Sequence, residues 1–125
     1  MSEAPEQAVE PGESVIAGIS RDIVRIHASH FGRGPTKAKT VWREDVVVCI
    51  LEEIFTKSED LLTEAGHFEQ VRANRQAFQD TIEPLMLQAV ENATGRPVRA
   101  FFSQISPEGL ASEVFVLDRR PASPA

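Results

Sequence analysis

The stretch FGRGPTKAK at residues 31–39 lies between a helical pattern and a β-hairpin pattern, and the organisation of the chain follows from this junction. Two glycines and a proline predict an irregular connection, with Gly32 where a left-handed residue ends a helix. Three of the nine side chains are cationic, although the formal net charge of the 125-residue chain is −6. The stretch is therefore a helix stop and also a candidate site for an anion or a partner.

The residues before this stretch predict an amphipathic helix over about residues 14–31, with Ser14 as its N-cap. Its buried face should be formed by side chains that recur at steps of three and four residues: Ile16, Ile19, Ile23, Ile26 and His30. The residues after the stretch predict two strands, Lys37 to Trp42 and Val46 to Leu51. Because only residues 43–45 join them, the strands should pair as an antiparallel hairpin.

Two further helices are predicted in the middle of the chain. Thr56 and Glu59 have the spacing of a capping box, which predicts a short helix that reaches Gly66. A longer helical pattern runs from Phe68 to the sequence TGRP at residues 94–97, where glycine and proline end it. Pro84 falls inside this second helix and is expected to kink it.

The last part of the chain predicts a second hairpin. Its strands are Val98 to Ile105 and Glu113 to Leu117, with a turn at residues 106–109. The order is then helix, hairpin, helix pair, hairpin, which predicts an α+β fold: an antiparallel four-stranded sheet with helices packed on one face. The other face of such a sheet needs a cover, and we expect a homodimer interface there with Trp42, Phe101 and Phe115 as its apolar residues.

Composition bounds the class of protein. With 42% hydrophobic and 26% charged residues, the chain suits one soluble domain, expected at residues 14–118 between disordered tails at residues 1–13 and 119–125. The single cysteine, Cys49, excludes an intrachain disulfide and suits a reducing compartment, so we expect a cytoplasmic location. No apolar run is long enough to predict membrane insertion. No basic face with interleaved aromatic residues predicts nucleic-acid binding.

Several of these motifs together resemble the MpsC-like domain, a small bacterial domain of largely unknown function. They are the Phe-Gly-Arg-Gly-Pro helix exit, the valine-rich hairpin, Arg72 and Arg75 in the long helix, the sequence TGRPV at residues 94–98 and the strand VFVL at residues 114–117. The family is named after a sodium-translocating, membrane-potential-generating system, and relatives lie beside inorganic-carbon transport genes. The resemblance implies a soluble accessory protein with no established catalytic residues. Trp42 departs from the family pattern.

A basic pocket is the first candidate site. If the glycine-rich loop folds over the long helix, it would bring together a set of ligand- or partner-binding residues: Gly32, Arg33, Gly34, Pro35, Lys37, Arg72 and Arg75. Such a pocket would suit a sensor that binds a small anion or a nucleotide. The alternative is that the loop only ends a helix, while the two helical arginines pair with acids such as Glu69, Glu44 or Asp45.

Metal and catalytic sites are weaker candidates. His27, His30, His67 and Cys49 are residue types that bind zinc, but their spacing contains no paired ligand motif, so we expect no metal and no cofactor. Cys49 lies in the most apolar strand, which favours a core thiol over a nucleophile. We therefore expect a non-catalytic accessory or adaptor protein, with a membrane transport or signalling protein as a candidate partner.

Overall fold

In a computed structural model, the backbone is described for residues 11–119 and the side chains for residues 14–119. Residues 1–10 and 120–125 of the two predicted tails lie outside the described residues. The described part of the chain forms helices α1 (Pro11–Phe31), α2 (Lys57–Glu64) and α3 (Phe68–Thr94) and strands β1 (Lys37–Arg43), β2 (Val46–Glu52), β3 (Val98–Ile105) and β4 (Ala111–Leu117). This is the α+β class that the sequence predicts.

Helix α1 begins at Pro11, three residues before the predicted start, so Ser14 as N-cap is wrong. Proline suits the first position of a helix because its fixed φ is already helical and its missing N–H has no intrahelical acceptor there. Residues 11–13 of the predicted disordered tail are consequently helical. The other end agrees with the prediction, since Gly32 has a φ of 81° directly after Phe31.

Local signals define the other two helices as predicted. Thr56 caps α2: its side chain accepts a hydrogen bond from the backbone N–H of Glu59 at 3.2 Å, and the Glu59 side chain accepts from the N–H of Thr56 at 2.9 Å. Helix α3 contains 27 residues, continues through Pro84 and ends at Gly95, whose φ of 73° is left-handed. The capping box and the glycine stop are both confirmed.

The four strands form one antiparallel sheet in the order β1-β2-β4-β3. Strand β4 begins at Ala111, two residues earlier than predicted, and pairs with both β2 and β3. The two hairpins are thus joined side by side, with β2 and β4 as the central strands. Directly opposed residues in such a ladder point to the same face, so the sheet can be described as transverse rows of four side chains.

One face of the sheet forms the core. On the central strands this core face is buried at every second position, and these side chains pack with α1 and α3. One core-face row is Trp42, Val47, Phe115 and Phe101, and another is Ala38, Leu51, Ala111 and Ile105. The intervening positions form the open face, where Val41 is 49% and Phe102 is 60% exposed.

Candidate functional site

The glycine-rich loop is held against helix α1. A Cβ atom added to Gly34 would lie 3.1 Å from the Cβ of Ala28 and 3.4 Å from the carbonyl oxygen of Val24. Gly34 does not have a positive φ, so a left-handed backbone is not the reason for a glycine at this position. The reason is the close approach of the loop to α1, which leaves little room for a side chain. Pro35 is buried at the same junction. The loop therefore acts as a helix stop and a packing element.

Arg33 does not present its charge to an anion-binding surface. Its Nη1 donates to the carbonyl oxygen of Phe55 at 2.8 Å. It lines a cleft together with three carboxylates, those of Glu53, Asp60 and Glu108. Since these carboxylates would repel an anion, the surroundings of Arg33 do not favour the predicted loop site, which stays a prediction.

The two arginines of α3 each have a carboxylate partner. Nη2 and Nε of Arg72 donate to Oε1 of Glu69 at 2.7 and 2.9 Å. Glu69 was one of the acids that the sequence offered as a partner for the helical arginines. Arg75 is buried and donates to both carboxylate oxygens of Glu59, at 2.9 and 2.6 Å, and to the carbonyl oxygen of Ile54 at 2.6 Å.

Glu59 is a partner that the sequence analysis missed. Burial alone would raise the pKa of Glu59, but the hydrogen bonds from Arg75 and Thr56 outweigh it and hold that pKa below its ordinary value. Glu44 and Asp45 pair with neither α3 arginine. The carboxylate of Asp45 instead accepts from Arg96 at 2.6 Å, which ties the end of α3 to the first hairpin.

A polar row crosses the core face between its two apolar rows. It consists of Thr40, Cys49, Glu113 and Ser103, one residue from each strand. The Thr40 hydroxyl lies 2.6 Å from that of Ser20 on α1 and donates to the Cys49 sulfur at 3.4 Å. Polar side chains in a core are costly unless they are hydrogen-bonded, so a whole row of them is a candidate functional site.

The row opens into a cavity of about 160 Å³ between α1, α3 and the β3–β4 half of the sheet. Its lining residues come from five segments of the chain: His27, Ile54, Arg72, Arg75, Gln76, Gln79, Ser103, Gln104, Ile105, Ala111 and Glu113. Arg72 and Arg75 thus share a cavity, as the predicted basic pocket required. Arg33 does not line it, and neither do Gly32, Gly34, Pro35 and Lys37. Lys37 is exposed on the edge strand β1.

Glu113 is the central group of this cavity. It is 1% exposed, and its Oε1 accepts from Nε2 of Gln79 at 2.8 Å. Burial raises the pKa of Glu113 to about 8, against the opposing effects of hydrogen bonds from Ser103 and Gln79 and of the Arg75 charge. The carboxyl group is therefore mainly protonated at neutral pH.

His27 faces Glu113 from α1. Its Nδ1 lies 2.9 Å from the carbonyl oxygen of Ile23, which can only accept, so Nδ1 carries a proton and Nε2 points to Oε2 of Glu113 at 4.0 Å. Burial lowers the pKa of His27; the Ile23 carbonyl opposes this, and the charges of Arg75 and His30 add to it. Both members of the pair are consequently uncharged at neutral pH.

The signal for Glu113 was present in the sequence. Along β4, alternate positions Ala111, Phe115 and Leu117 face the core, and Glu113 occupies the remaining core-facing position. Because the predicted strand began at Glu113, that residue stood at the end of the strand. The alternation along the strand therefore did not indicate that its side chain faces the core. A strand that began at Ala111 would have shown a carboxylate in the interior.

The predicted interface residues lie on the core face. Phe115 is fully buried, and its ring centroid is 5.0 Å from that of Phe101. Trp42 and Phe101 are partly buried against the core, and the Trp42 indole N–H donates to the carbonyl oxygen of Glu44 at 3.0 Å. Full burial leaves Phe115 out of reach of a partner, whereas Trp42 and Phe101 as interface residues stay a prediction. Their sequence neighbours Val41 and Phe102 point to the other face of the sheet.

The open face itself is apolar at its centre. Its middle row is Val41, Val48, Val114 and Phe102, and eight of the twelve positions in its three complete rows are apolar. Cations lie along its two edges, with Lys39 and Arg43 on β1 and Arg99 exposed on β3.

Two negative findings concern residues 11–119 alone. None of the helices there combines the length and the apolar character that crossing a membrane requires. No group of three histidine, cysteine or acidic side chains in that part of the chain could hold a metal ion. His27 and His30 each place Nδ1 2.9 Å from the carbonyl oxygen four residues earlier in α1.

The fold and these two surfaces define a small α+β protein with a polar internal cavity and an apolar sheet face. A family model described as "Na+-translocating membrane potential-generating system (MpsC)" matches residues 13–119, most of the chain. The chain belongs to the MpsC family, which confirms the resemblance drawn from the motifs. Neither the curated proteins nor the solved structures contain a match to it.

Proposed function

We propose that this chain is a non-catalytic accessory protein of a membrane ion-transport system and that it acts as a homodimer joined through the open faces of two sheets. The family name supplies the link to a membrane-potential-generating system. The observation that carries the proposal is the middle row of the open face, apolar at all four positions and ending in Phe102, which is 60% exposed. Apolar sheet surface of this kind marks an interface.

A second copy of the chain fits this face. A twofold axis parallel to the strands, between β2 and β4, would place β1 of one copy over β3 of the other. Phe102 would then lie over the partner's Val41, so that a large side chain meets a small one. Lys39 and Arg43 would lie over the partner's Gln104 and Ala100, neither of which is charged.

The size of the face sets the expected affinity. Four strands about 4.8 Å apart and seven residues of about 3.3 Å give a face roughly 20 Å on each side. The corresponding area, about 400 Å², is roughly half of the 800 Å² that a standard interface buries on each partner. We therefore expect a dimer that dissociates on dilution rather than an obligate one.

The burial of Cys49, the one cysteine of the chain, supports a non-catalytic role. Cys49 is fully buried, and burial raises the pKa of its thiol to about 11. A nucleophilic cysteine needs a lowered pKa and access to a substrate, and Cys49 has neither. An unpaired thiol also suits the reducing cytoplasm, which is the location we propose.

Light scattering across a dilution series tests the dimer. Phe102→Lys places a charge at the end of the middle row and should leave a monomer at every concentration. Leu61→Lys is the matched control, because Leu61 is 67% exposed and lies on helix α2 rather than on a strand of the sheet. A wild-type monomer at high concentration, or a Phe102→Lys variant that still dimerises, would contradict the dimer.

The role in ion transport needs a test in the cell. Deletion of the gene in its native organism should lower the membrane potential reported by a voltage-sensitive dye. Complementation by wild type and by Leu61→Lys should restore the potential, and complementation by Phe102→Lys should not. An unchanged potential in the deletion strain would refute the transport role, whereas full rescue by Phe102→Lys would refute only the need for the dimer.

A further inference from the structure

The cavity concentrates the buried polar groups of the described chain. The described residues include five buried polar or charged side chains, and four of these line the cavity: His27, Arg75, Gln79 and Glu113. The fifth, Thr40, belongs to the polar row that leads into it. Polar side chains are costly to bury, so their concentration around one cavity favours a role in binding a polar ligand.

Several hydrogen-bond donors line this cavity. The protonated carboxyl of Glu113 offers an O–H, and among the described residues Nη1 of Arg75 has no acceptor. Arg72 stands at the mouth with its side chain 53% exposed, and Gln76 is exposed beside it. Glu113 is the one acid among the lining residues, and it is mainly uncharged at neutral pH. Such a site favours an oxyanion over a cation.

We propose that this cavity binds a small carboxylate and that Glu113 holds it through the proton on its own carboxyl group. The ligand's carboxylate would accept from Glu113 and from the arginines at the mouth. The lining also includes Ile54, Ile105 and Ala111, which suit a short alkyl group. A hydrogen bond from a carboxylic acid to a carboxylate is of the strong, charge-assisted kind.

The cavity volume of about 160 Å³ is consistent with a small ligand such as acetate or propionate.

Binding should depend on pH through Glu113. The ionisable groups that face it are His27 from α1, Arg72 and Arg75 from α3, and Cys49 from β2; Ser103 from β3 adds a hydroxyl. The pKa of His27 is lowered and that of Cys49 is raised to about 11, so neither changes its charge between pH 7 and pH 9. Ionisation of Glu113 in that interval removes a donor and repels the ligand, so affinity should fall about tenfold between pH 7 and pH 9.

Saturation-transfer NMR with sodium propionate measures this affinity, with sodium chloride keeping the ionic strength constant. Wild type should show saturable binding that weakens about tenfold from pH 7 to pH 9. Glu113→Gln keeps the shape and a donor but cannot ionise, so its affinity should be the same at both pH values. Non-saturable binding, or an unchanged pH dependence in Glu113→Gln, would overturn the proposal.

A matched pair of arginine variants tests the mouth of the cavity. Arg72 and Arg25 are both exposed, by 53% and 66%, and each pairs with an acid three residues earlier in its helix. Arg72→Gln should weaken propionate binding at least tenfold, and Arg25→Gln should not change it. Equal effects of the two variants would show binding by general charge and would refute the site.

Inorganic phosphate tests the class of ligand. At the same concentration it should not displace propionate, because it offers no alkyl group and carries a second negative charge near neutral pH. Displacement by phosphate would show that the cavity selects charge alone and would overturn the assignment to carboxylates. These measurements do not depend on the dimer, which light scattering follows separately on the same samples.

Discussion

Replacement of Glu113 by glutamine should remove most of the pH dependence of folding between pH 6.5 and pH 8. Glu113 is buried with hydrogen bonds from Ser103 and Gln79, and burial raises its pKa from 4.5 to about 8. The folded protein thus keeps a proton that the unfolded chain loses near pH 4.5. Folding stability must fall wherever the folded state binds more protons than the unfolded state.

The direction and size of this effect follow from the two pKa values. The stabilising contribution of the bound proton is fully present below pH 4.5 and is lost as the pH rises through about 8. Over the whole range the loss is on the order of 5 kcal/mol, since each pKa unit corresponds to about 1.4 kcal/mol. Between pH 6.5 and pH 8 the loss due to Glu113 is on the order of 2 kcal/mol.

The pH range above 6.5 is the informative one, because His27 contributes little to the pH dependence of folding there. Its pKa is lowered on folding from 6.5, so it opposes Glu113 below pH 6.5, where the unfolded chain gains a proton on histidine. Above pH 6.5 its contribution is at most about 0.4 kcal/mol and has the opposite sign. Wild type and Glu113→Gln share this contribution, so it cancels in the comparison between them.

Urea unfolding followed by the fluorescence of Trp42, the one tryptophan, gives both free energies of unfolding. Wild type should lose about 1 kcal/mol between pH 6.5 and pH 8, and Glu113→Gln should instead gain a fraction of a kcal/mol from His27. The variant should also be the more stable protein at pH 8. Parallel pH profiles for the two proteins would show that Glu113 is already ionised in the fold, and the account of the buried pair would be wrong.

Three further substitutions test the packing by urea unfolding. Ile23→Ala, in a fully buried site, should lower the free energy of unfolding by about 2–5 kcal/mol, and a loss well below 1 kcal/mol would move that face of α1 to the surface. Gly34→Val should cost about 1–3 kcal/mol because its Cβ would crowd α1, and unchanged stability would show that the loop can move away. Arg75→Met leaves the Glu59 carboxylate unpaired and should cost about 3–5 kcal/mol at pH 7. That cost should shrink as the pH falls through 4.5 and Glu59 becomes protonated, and a cost independent of pH would contradict the ion pair.

The helix ends were predictable because their signals are local. The capping box at Thr56 and Glu59 and the left-handed glycines at Gly32 and Gly95 each act within one turn of helix. Their energetics depend little on the rest of the fold. The start of α1 was missed because two local signals compete there, a serine N-cap at Ser14 and a proline at Pro11 that suits the first helical position.

The faces of the sheet were not predictable in the same way. Residues 46–51 are apolar without interruption, so the sequence of β2 contains no alternation that would distinguish the core face from the open face. In β4 the residue that should mark solvent, Glu113, points into the core. The sequence therefore does not distinguish Phe101 from its neighbour Phe102 as an interface residue, and in the structure Phe102 is the exposed one.

Long-range ion pairs show a second limit. The sequence indicated that Arg75 needed a carboxylate, because it lies on the apolar stripe of α3. It could not indicate Glu59, which lies 16 residues earlier and already has a role in the capping box. A carboxylate has two oxygens and several acceptor positions, so one glutamate can cap a helix and pair with an arginine together.

The alternation of side chains along β3 and β4 places the two proposed surfaces back to back. Ser103 and Glu113 face the cavity, while their neighbours Phe102 and Val114 face the open side of the same strands. A substitution on one face leaves the side chains of the other face in place, since successive residues point in opposite directions. Phe102→Lys should therefore abolish dimerisation with propionate binding intact, and Arg72→Gln should do the reverse. Either proposal can fail without the other, and loss of both functions in one variant would show instead that the sheet itself had been disturbed.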